Sequence, residues 1–178
     1  MYPPNTRGGY MIDYQLAKAL FNYNPESGEL TWRVQTNATP KGKAAGTVRK
    51  HKVDRYTSYI NVTILGDPYK AHRIIWLMQT GKWPEKHIDH IDGNGLNNKW
   101  SNLREVTASQ NAMNQRVRSD SASGIKGVSY DKARNVWYVY IDVDKKRKHL
   151  GRYETKDEAA AARLAAEKIY HGEYARGA

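Results

Sequence analysis

His87-Ile88-Asp89-His90-Ile91-Asp92-Gly93-Asn94-Gly95, continuing through Trp100-Ser101-Asn102-Leu103-Arg104 to Gln110-Asn111, is the stretch on which the reading of the whole chain turns. A carboxylate and an imidazole stand side by side at its start. Asn102 follows His90 after a loop, and Asn111 comes later still.

Local chemistry gives the stretch a shape. Asp89 and His90 close a short strand, and Asp92-Gly93-Asn94-Gly95 forces a loop because Asn, Asp and Gly accept turn geometry. Leu103 to Val106 returns as a second strand. Thr107-Ala108-Ser109-Gln110 has the spacing of a capping box, so a helix starts there with Asn111 in its first turn. The expected order of strand, loop, strand, helix places Asp89, His90 and Asn111 close enough to share one ion. That set offers an oxygen ligand, a base for water, a fixed loop and a second oxygen ligand, which a compact metal-dependent phosphodiesterase requires. An EF-hand is a rival for the loop, but the register puts His90 at the first ligand position and Ser101 where a bidentate Glu is needed. Zinc lacks a second pair of nitrogen or sulfur ligands near His87 and His90. A plainer reading also stands, in which His90 and Asn102 satisfy hydrogen bonds within a tight loop.

Working toward the N-terminus, Ala71 to Thr80 reads as a helix ended by Gly81. Tyr59 to Leu65 alternates as a strand, with Ile60, Val62 and Ile64 on one face, and Gly66-Asp67-Pro68 is read as the turn after it. Residues 41–55 carry Lys41, Lys43, Arg49, Lys50, Lys52 and Arg55 against Asp54, a net charge of +5. They suit either a solvated face or a basic β-ribbon along a DNA groove. Asn24-Pro25-Glu26-Ser27-Gly28 is a turn before a short strand at Glu29–Arg33. Residues 11–22 read as a helix with Ile12, Leu16 and Leu20 on one side.

The whole chain of 178 residues has a formal charge of +11, so a polyanionic partner is expected. It has no cysteine, which excludes a disulfide framework and a Cys-built zinc site. No apolar run is long enough to span a bilayer and Met1-Tyr2-Pro3-Pro4 is no signal peptide, so a soluble, cytoplasmic protein is expected. Thirteen Tyr and five Trp stand against one Phe. Such rings pack small cores with their tips in water, or lie beside phosphates and bases.

From Tyr69 to Gln115 the chain resembles the HNH endonuclease family in its phage and intron homing form. The resemblance rests on Ala71-His72-Arg73, Trp83-Pro84, Ile88-Asp89-His90-Ile91-Asp92-Gly93-Asn94, Asn97-Asn98, Ser101-Asn102-Leu103-Arg104 and Gln110-Asn111. Asn24 to Trp32 is also similar to the N-terminal lead of such phage proteins. The resemblance implies that His90 is the general base taking a proton from water, and that Asp89 binds a divalent metal. It further implies that Asn102 pins the loop and that Asn111 stands where the motif often has its last His. Asn111 would be the second metal ligand, its amide oxygen suiting Mg²⁺ or Mn²⁺. Arg104 would add a phosphate contact, whereas His87 and Asp92 read as loop structure.

Toward the C-terminus, residues 116–123 read as a linker in which Arg116 and Arg118 either track a groove or are solvated. Ile125 to Tyr130, Val136 to Val143 and Lys148 to Tyr153 are three strand-like runs. Thr155-Lys156-Asp157-Glu158 is a capping box before an Ala-rich helix. Trp137, Val139 and Ile141 face that helix; Tyr138, Tyr140 and Asp142 face away. Ser123-Gly124-Ile125-Lys126-Gly127-Val128, Trp137, Ile141, Leu150-Gly151-Arg152-Tyr153, Thr155 and Glu158-Ala159-Ala160 resemble the ethylene-response-factor (AP-two) DNA-binding domain. The resemblance implies that Lys126, Ser129, Tyr140, Arg147, His149 and Arg152 face the major groove. Tyr140 and His149 depart from the plant pattern, so its target sequence does not transfer.

The expectation is an α+β chain in four parts. Residues 1–68 form a helix and basic β-ribbon region, and 69–115 a ββα-metal nuclease core. Residues 116–123 are a linker, and 124–178 form a three-stranded antiparallel sheet packed on one helix. The expected function is homing-type, metal-dependent cleavage of double-stranded DNA by a monomer, giving 3′-hydroxyl and 5′-phosphate ends and nicking one strand. The alternatives are a DNA-binding regulator with an inactive core and, more distantly, an RNA-processing protein.

Overall fold

The computed structural model describes residues 12–35, 40–50, 58–115, 117, 121–144 and 146–175. Lys52 and Arg55 of the basic run, and Arg116 and Arg118 of the expected linker, lie outside the described residues. Contacts divide the chain into two compact units, Met1–Val106 and Thr107–Ala178. The architecture is α+β, with antiparallel sheets of two or three strands. No helix among the described residues is long and apolar enough to cross a membrane.

The first unit opens with helix α1 (Tyr14–Leu20), started by the Asp13 carboxylate, which accepts the Leu16 N–H at 2.7 Å. The helix expected to reach residue 22 stops sooner. Phe21 is extended instead and joins β1 (Phe21–Tyr23), which pairs with β2 (Leu30–Trp32). Phe21 lies opposite Trp32 with ring centroids 4.6 Å apart and is almost wholly buried, a contact that another helical turn would break. The Asn24 side chain accepts the Glu26 and Ser27 N–H groups and so shapes the turn between the two strands.

A three-stranded sheet follows, β3 (Thr47–Lys50), β4 (Ser58–Ile64) and β5 (Asp67–Lys70), with β4 in the middle. The turn after β4 differs from the expected Gly66-Asp67-Pro68. Leu65 and Gly66 both have positive φ, 51° and 90°, and make a two-residue hairpin turn, while Asp67 and Pro68 already belong to β5. Pro68 has no N–H to offer, and an edge strand tolerates that loss.

Helix α2 (Ala71–Thr80) ends where Gly81 adopts φ 77° and returns its N–H to the Leu77 carbonyl. Its Ile74, Ile75, Leu77 and Met78 fill a core with Ile12, Phe21, Leu30, Val62, Ile64 and Leu103. Each such side chain contributes about 1.5–3 kcal/mol by leaving water. β6 (His87–His90) and β7 (Leu103–Val106) form an antiparallel pair joined by the loop that includes a 3₁₀ turn at Trp100–Asn102. The turn before β2 braces that loop. Trp100 N–H donates to Pro25 O at 3.0 Å, and the backbone of Gly28 lies directly against Asn98 and Lys99.

The second unit contains α3 (Ala108–Asn114), β8 (Val128–Asp131), β9 (Val136–Val143), β10 (Lys146–Tyr153) and α4 (Lys156–Tyr170). The sheet order is β10-β9-β8, with α4 behind it. Both expected capping boxes are present, Thr107 with Gln110 and Thr155 with Glu158. The strand expected to start at Ile125 starts at Val128, because Gly124 and Gly127 have positive φ and the Ser123 hydroxyl bonds Ile125 and Val128 into a loop. Val128, Val139 and Ala159 form a small core, with Ile125, Trp137, Leu150 and Tyr153 packed around them. The expected linker, residues 116–123, falls within this second unit.

His72, on α2, is buried at 7% exposure. Burial, reinforced by the charges of His90, Lys70 and Arg73, holds its pKa well below 6.5.

Two predictions follow from this packing. A Cβ on Gly28 would stand 2.5 Å from Lys99 N, at a φ of +77°, whereas one on Gly81 at the same φ meets nothing. Gly81→Ala should therefore cost about 1–2 kcal/mol of unfolding free energy, and Gly28→Ala roughly 3 kcal/mol. Urea titration of the two variants tests the difference. For His72, the unfolded chain takes up a proton near pH 6.5 that the fold refuses, so stability falls as pH drops below 6.5. His72→Gln should reduce that slope by up to about 1.4 kcal/mol per pH unit, measured by unfolding between pH 7 and 5.

Candidate active site

Successive residues of a strand point to opposite faces, and this separates the surroundings of Asp89 and His90. Asp89 lies opposite Arg104 in the β6–β7 register and is ion-paired with it. Arg104 Nε and one terminal nitrogen approach Asp89 Oδ2 at 3.1 and 3.0 Å. The expected phosphate contact and the expected metal ligand are thus brought together as partners.

His90 is 4% exposed. Its Nε2 lies 2.9 Å from Asn98 Oδ1, a carbonyl oxygen that can only accept. The ring proton therefore sits on Nε2, leaving the lone pair on Nδ1. Burial lowers the His90 pKa, while its hydrogen bond to Asn98 Oδ1 and the charges of Asp92 and Asp89 oppose the shift. The ring is thereby kept neutral and able to accept a proton at pH 7. His72 meets it edge-on, with centroids 5.1 Å apart, and Tyr59 lies 5.6 Å from His72 and 6.1 Å from His90. Lys70 Nζ stands 4.6 Å over the Tyr59 ring. Gly95 has no Cβ because one would collide with the Ser58 carbonyl and the Tyr59 ring, so the loop lies directly on this aromatic cluster.

Asn102 ties the loop to itself. Its Oδ1 accepts the Asp92 N–H at 3.0 Å, and its Nδ2 donates to Asp92 Oδ1 and to Asn97 O at 3.0 and 2.7 Å. Asp92 also accepts from Asn97 Nδ2 and from the Asn94 N–H. Partial burial pushes the Asp92 carboxyl up, but these donors and His90 outweigh it and hold the pKa below the ordinary value. Asp92 is therefore an organising anion of the loop.

Sequence reasoning did not assign a role to Asn98, Tyr23, Tyr59, Lys70 or His72. Asn98 is 2% exposed, and its main-chain oxygen accepts the Tyr23 hydroxyl at 2.8 Å. The available signal was the Asn97-Asn98 pair beside an Asp-rich turn. His72 was visible only as a matched position. Nothing local marks Tyr59 or Lys70, which arrive from another sheet.

Asn111 is half-buried on α3 of the second unit, its N–H bonded to Thr107 O. Among the described residues no group of three or more His, Cys, Asp and Glu gathers to hold an ion. The donors expected from the sequence are the Asp89 carboxylate, in the first unit, and the Asn111 amide oxygen, in the second. These hard groups fit a divalent ion that takes its other ligands from water and substrate phosphate.

In the second unit, Ser129, Tyr138 and Arg152 stand opposite one another across the sheet, as do Tyr140 with His149 and Asp142 with Arg147. Arg147 stacks 3.7 Å from the Tyr140 ring and pairs with Asp142 at 2.9 and 3.1 Å, and His149 lies 4.4 Å from Tyr138. Ser129, Arg147, His149 and Arg152 are exposed. Lys126 departs from this group. Its ammonium donates to main-chain oxygens at the end of α3.

The HNH endonuclease family matches residues 69–113, a segment that runs from β5 through the loop into α3. Protein 3.8 of Escherichia phage T7 is 34% identical over 112 residues, which cover 61% of this chain and 92% of that protein. The uncharacterized HNH endonuclease L560 of Acanthamoeba polyphaga mimivirus is 42% identical over 62 residues, covering 34% of this chain and 33% of that one. A solved structure described as DNA binding and cleavage by the HNH homing endonuclease I-HmuI aligns at a TM-score of 0.40 and 19% identity, over 91% of this chain and 90% of that one. The matched segment contains Asp89, His90, Asn102 and Asn111, with the His90 imidazole hydrogen-bonded to Asn98 at the end of its strand and its loop tied by Asn102. Residues 69–113 of the chain thus form a segment of the HNH endonuclease type.

Proposed function

We propose that this protein is a site-specific DNA endonuclease of the homing type, which hydrolyses one strand of duplex DNA as a monomer with Mg²⁺ or Mn²⁺. The observation that carries the reading is the Asn98 carbonyl held against His90 Nε2, which leaves Nδ1 as the proton acceptor. His90 takes the proton of a water as its oxygen attacks phosphorus. The bond to the 3′ oxygen breaks and that oxygen takes a proton from solvent, giving a 3′-hydroxyl and a 5′-phosphate.

Asp89 and Asn111 are the oxygen donors that would hold the divalent ion. That ion, when bound, offsets the charge developing on the phosphate and the leaving oxygen. Arg104 fixes the Asp89 carboxylate and adds positive charge on its side of the hairpin. Asn102 keeps the loop, and with it His90, in place.

The sheet of the second unit is the recognition element in this reading. Its strand order, the helix behind it and the exposed Ser129, Arg147, His149 and Arg152 support the AP-two-like role of lying in a major groove. The overall charge of +11 supports an anionic partner. One base per chain supports nicking, because a double-strand break would need a second copy or a second cut.

The test is a supercoiled plasmid carrying the DNA that flanks this reading frame, joined without it. Conversion to open circle should require Mg²⁺ or Mn²⁺ and cease with chelator. His90→Ala should slow it by about 10²-fold or more. Linear product would overturn the nicking. Tight binding without a cut, equal in both proteins, would make the chain a DNA-binding regulator.

A further inference from the structure

Lys126 was expected on the DNA face of the sheet, but its ammonium is engaged elsewhere. Nζ donates to the Ala112 carbonyl, to Met113 O at 3.2 Å and to Gln115 O at 3.5 Å. These oxygens belong to the last turn of α3 and the residue after it, where a helix end favours a cation; the Ala112 carbonyl also accepts the Gln115 N–H. The helix itself is short, seven residues, so it has little cooperativity of its own and depends on what holds its ends. At its start that is the Thr107–Gln110 capping box; at its end Lys126 joins the Gln115 N–H as a donor to the last carbonyls.

The Lys126 backbone is itself fixed. Its carbonyl accepts Arg163 Nε at 2.7 Å, and Arg163, 3% exposed on α4, is ion-paired to Glu167 at 2.9 Å. Gly127 follows at φ +71°, where a Cβ would strike the Tyr140 carbonyl and Arg163, and its own carbonyl accepts the Tyr140 N–H at 2.9 Å. One strand-end loop thus contacts β9, α4 and the end of α3 together. Tyr140 is on the proposed DNA face, and Asn111 is on α3.

We propose that Lys126 is a positioning residue, not a DNA contact: it ties the helix carrying Asn111 to the recognition sheet and so sets where the Asn111 amide stands. This rests on the nuclease reading above. A phosphate-contacting lysine and a helix-clasping lysine have opposite signatures. Loss of the first weakens binding and lowers the salt slope by about one ion, whereas loss of the second leaves binding alone and slows the bound complex.

The experiment compares the full chain, Lys126→Met, Lys126→Arg and Arg152→Ala. Duplex affinity is measured across a salt series in chelator, single-turnover cleavage at saturating protein with Mg²⁺, and amide hydrogen exchange of α3 without DNA. Lys126→Met should hold its affinity within about twofold and keep its salt slope, while its saturated rate falls at least tenfold and α3 amides exchange faster. Lys126→Arg should recover most of both losses, and Arg152→Ala should weaken binding with a shallower salt slope. Weakened binding by Lys126→Met with an unchanged saturated rate would overturn the proposal, as would unchanged rate and unchanged exchange. If the wild type does not cut, the nuclease reading fails, and hydrogen exchange alone decides whether Lys126 holds α3. If Lys126→Met does not fold, Lys126→Arg with wild-type binding, rate and exchange sustains the clasp, and loss of affinity in it overturns it.

Discussion

Asn98 is the residue on which the geometry of the site depends. It has almost no contact with solvent, and it is held through both of its oxygens: the side-chain oxygen faces His90 Nε2 and the main-chain oxygen accepts the Tyr23 hydroxyl. A buried polar group left without a partner costs about 1–3 kcal/mol, so each of these contacts enforces the other. Burial raises the Tyr23 pKa to about 12, with Glu26 adding to the shift, so the hydroxyl remains a donor throughout the working pH range. The small β1–β2 hairpin at the start of the chain is in this way part of what holds His90, the proposed proton acceptor, far along the sequence.

The rings around His90 act in the same direction. His72, Tyr59 and His90 surround one another, and burial disfavours a positive charge on either imidazole. The carboxylates of Asp92 and Asp89 limit the effect on His90. A base needs to be neutral yet retain some affinity for a proton, and for the proposed base His90 burial opposed by nearby carboxylates favours that balance.

Local pattern carried much of the fold. The capping boxes at Thr107 and Thr155, the glycine stop at Gly81 and the strands on either side of the loop between His90 and Leu103 each follow from a few neighbouring residues, and each is present. What was not legible depends on contacts between distant segments. The first helix ends early because Phe21 has a partner in Trp32, and Asp67-Pro68 is strand because β4 lies beside it. Tyr59 and Lys70 reach the His90 cluster by sheet packing, which no local spacing records. Lys126 shows the limit of a motif match: its position in the sequence agrees with a DNA-facing residue, but two positive-φ glycines turn the chain around it.

The division between the compact units falls at Val106 and Thr107, inside the segment matched by the family. For protein engineering this makes the sheet proposed for recognition a poor cassette. A chimera joined in the polar stretch after Gln115, where the composition looks most like a spacer, would separate α3 from the loop that holds its end. A graft that exchanges target preference would have to carry α3, residues 121–127 and α4 as one inherited block.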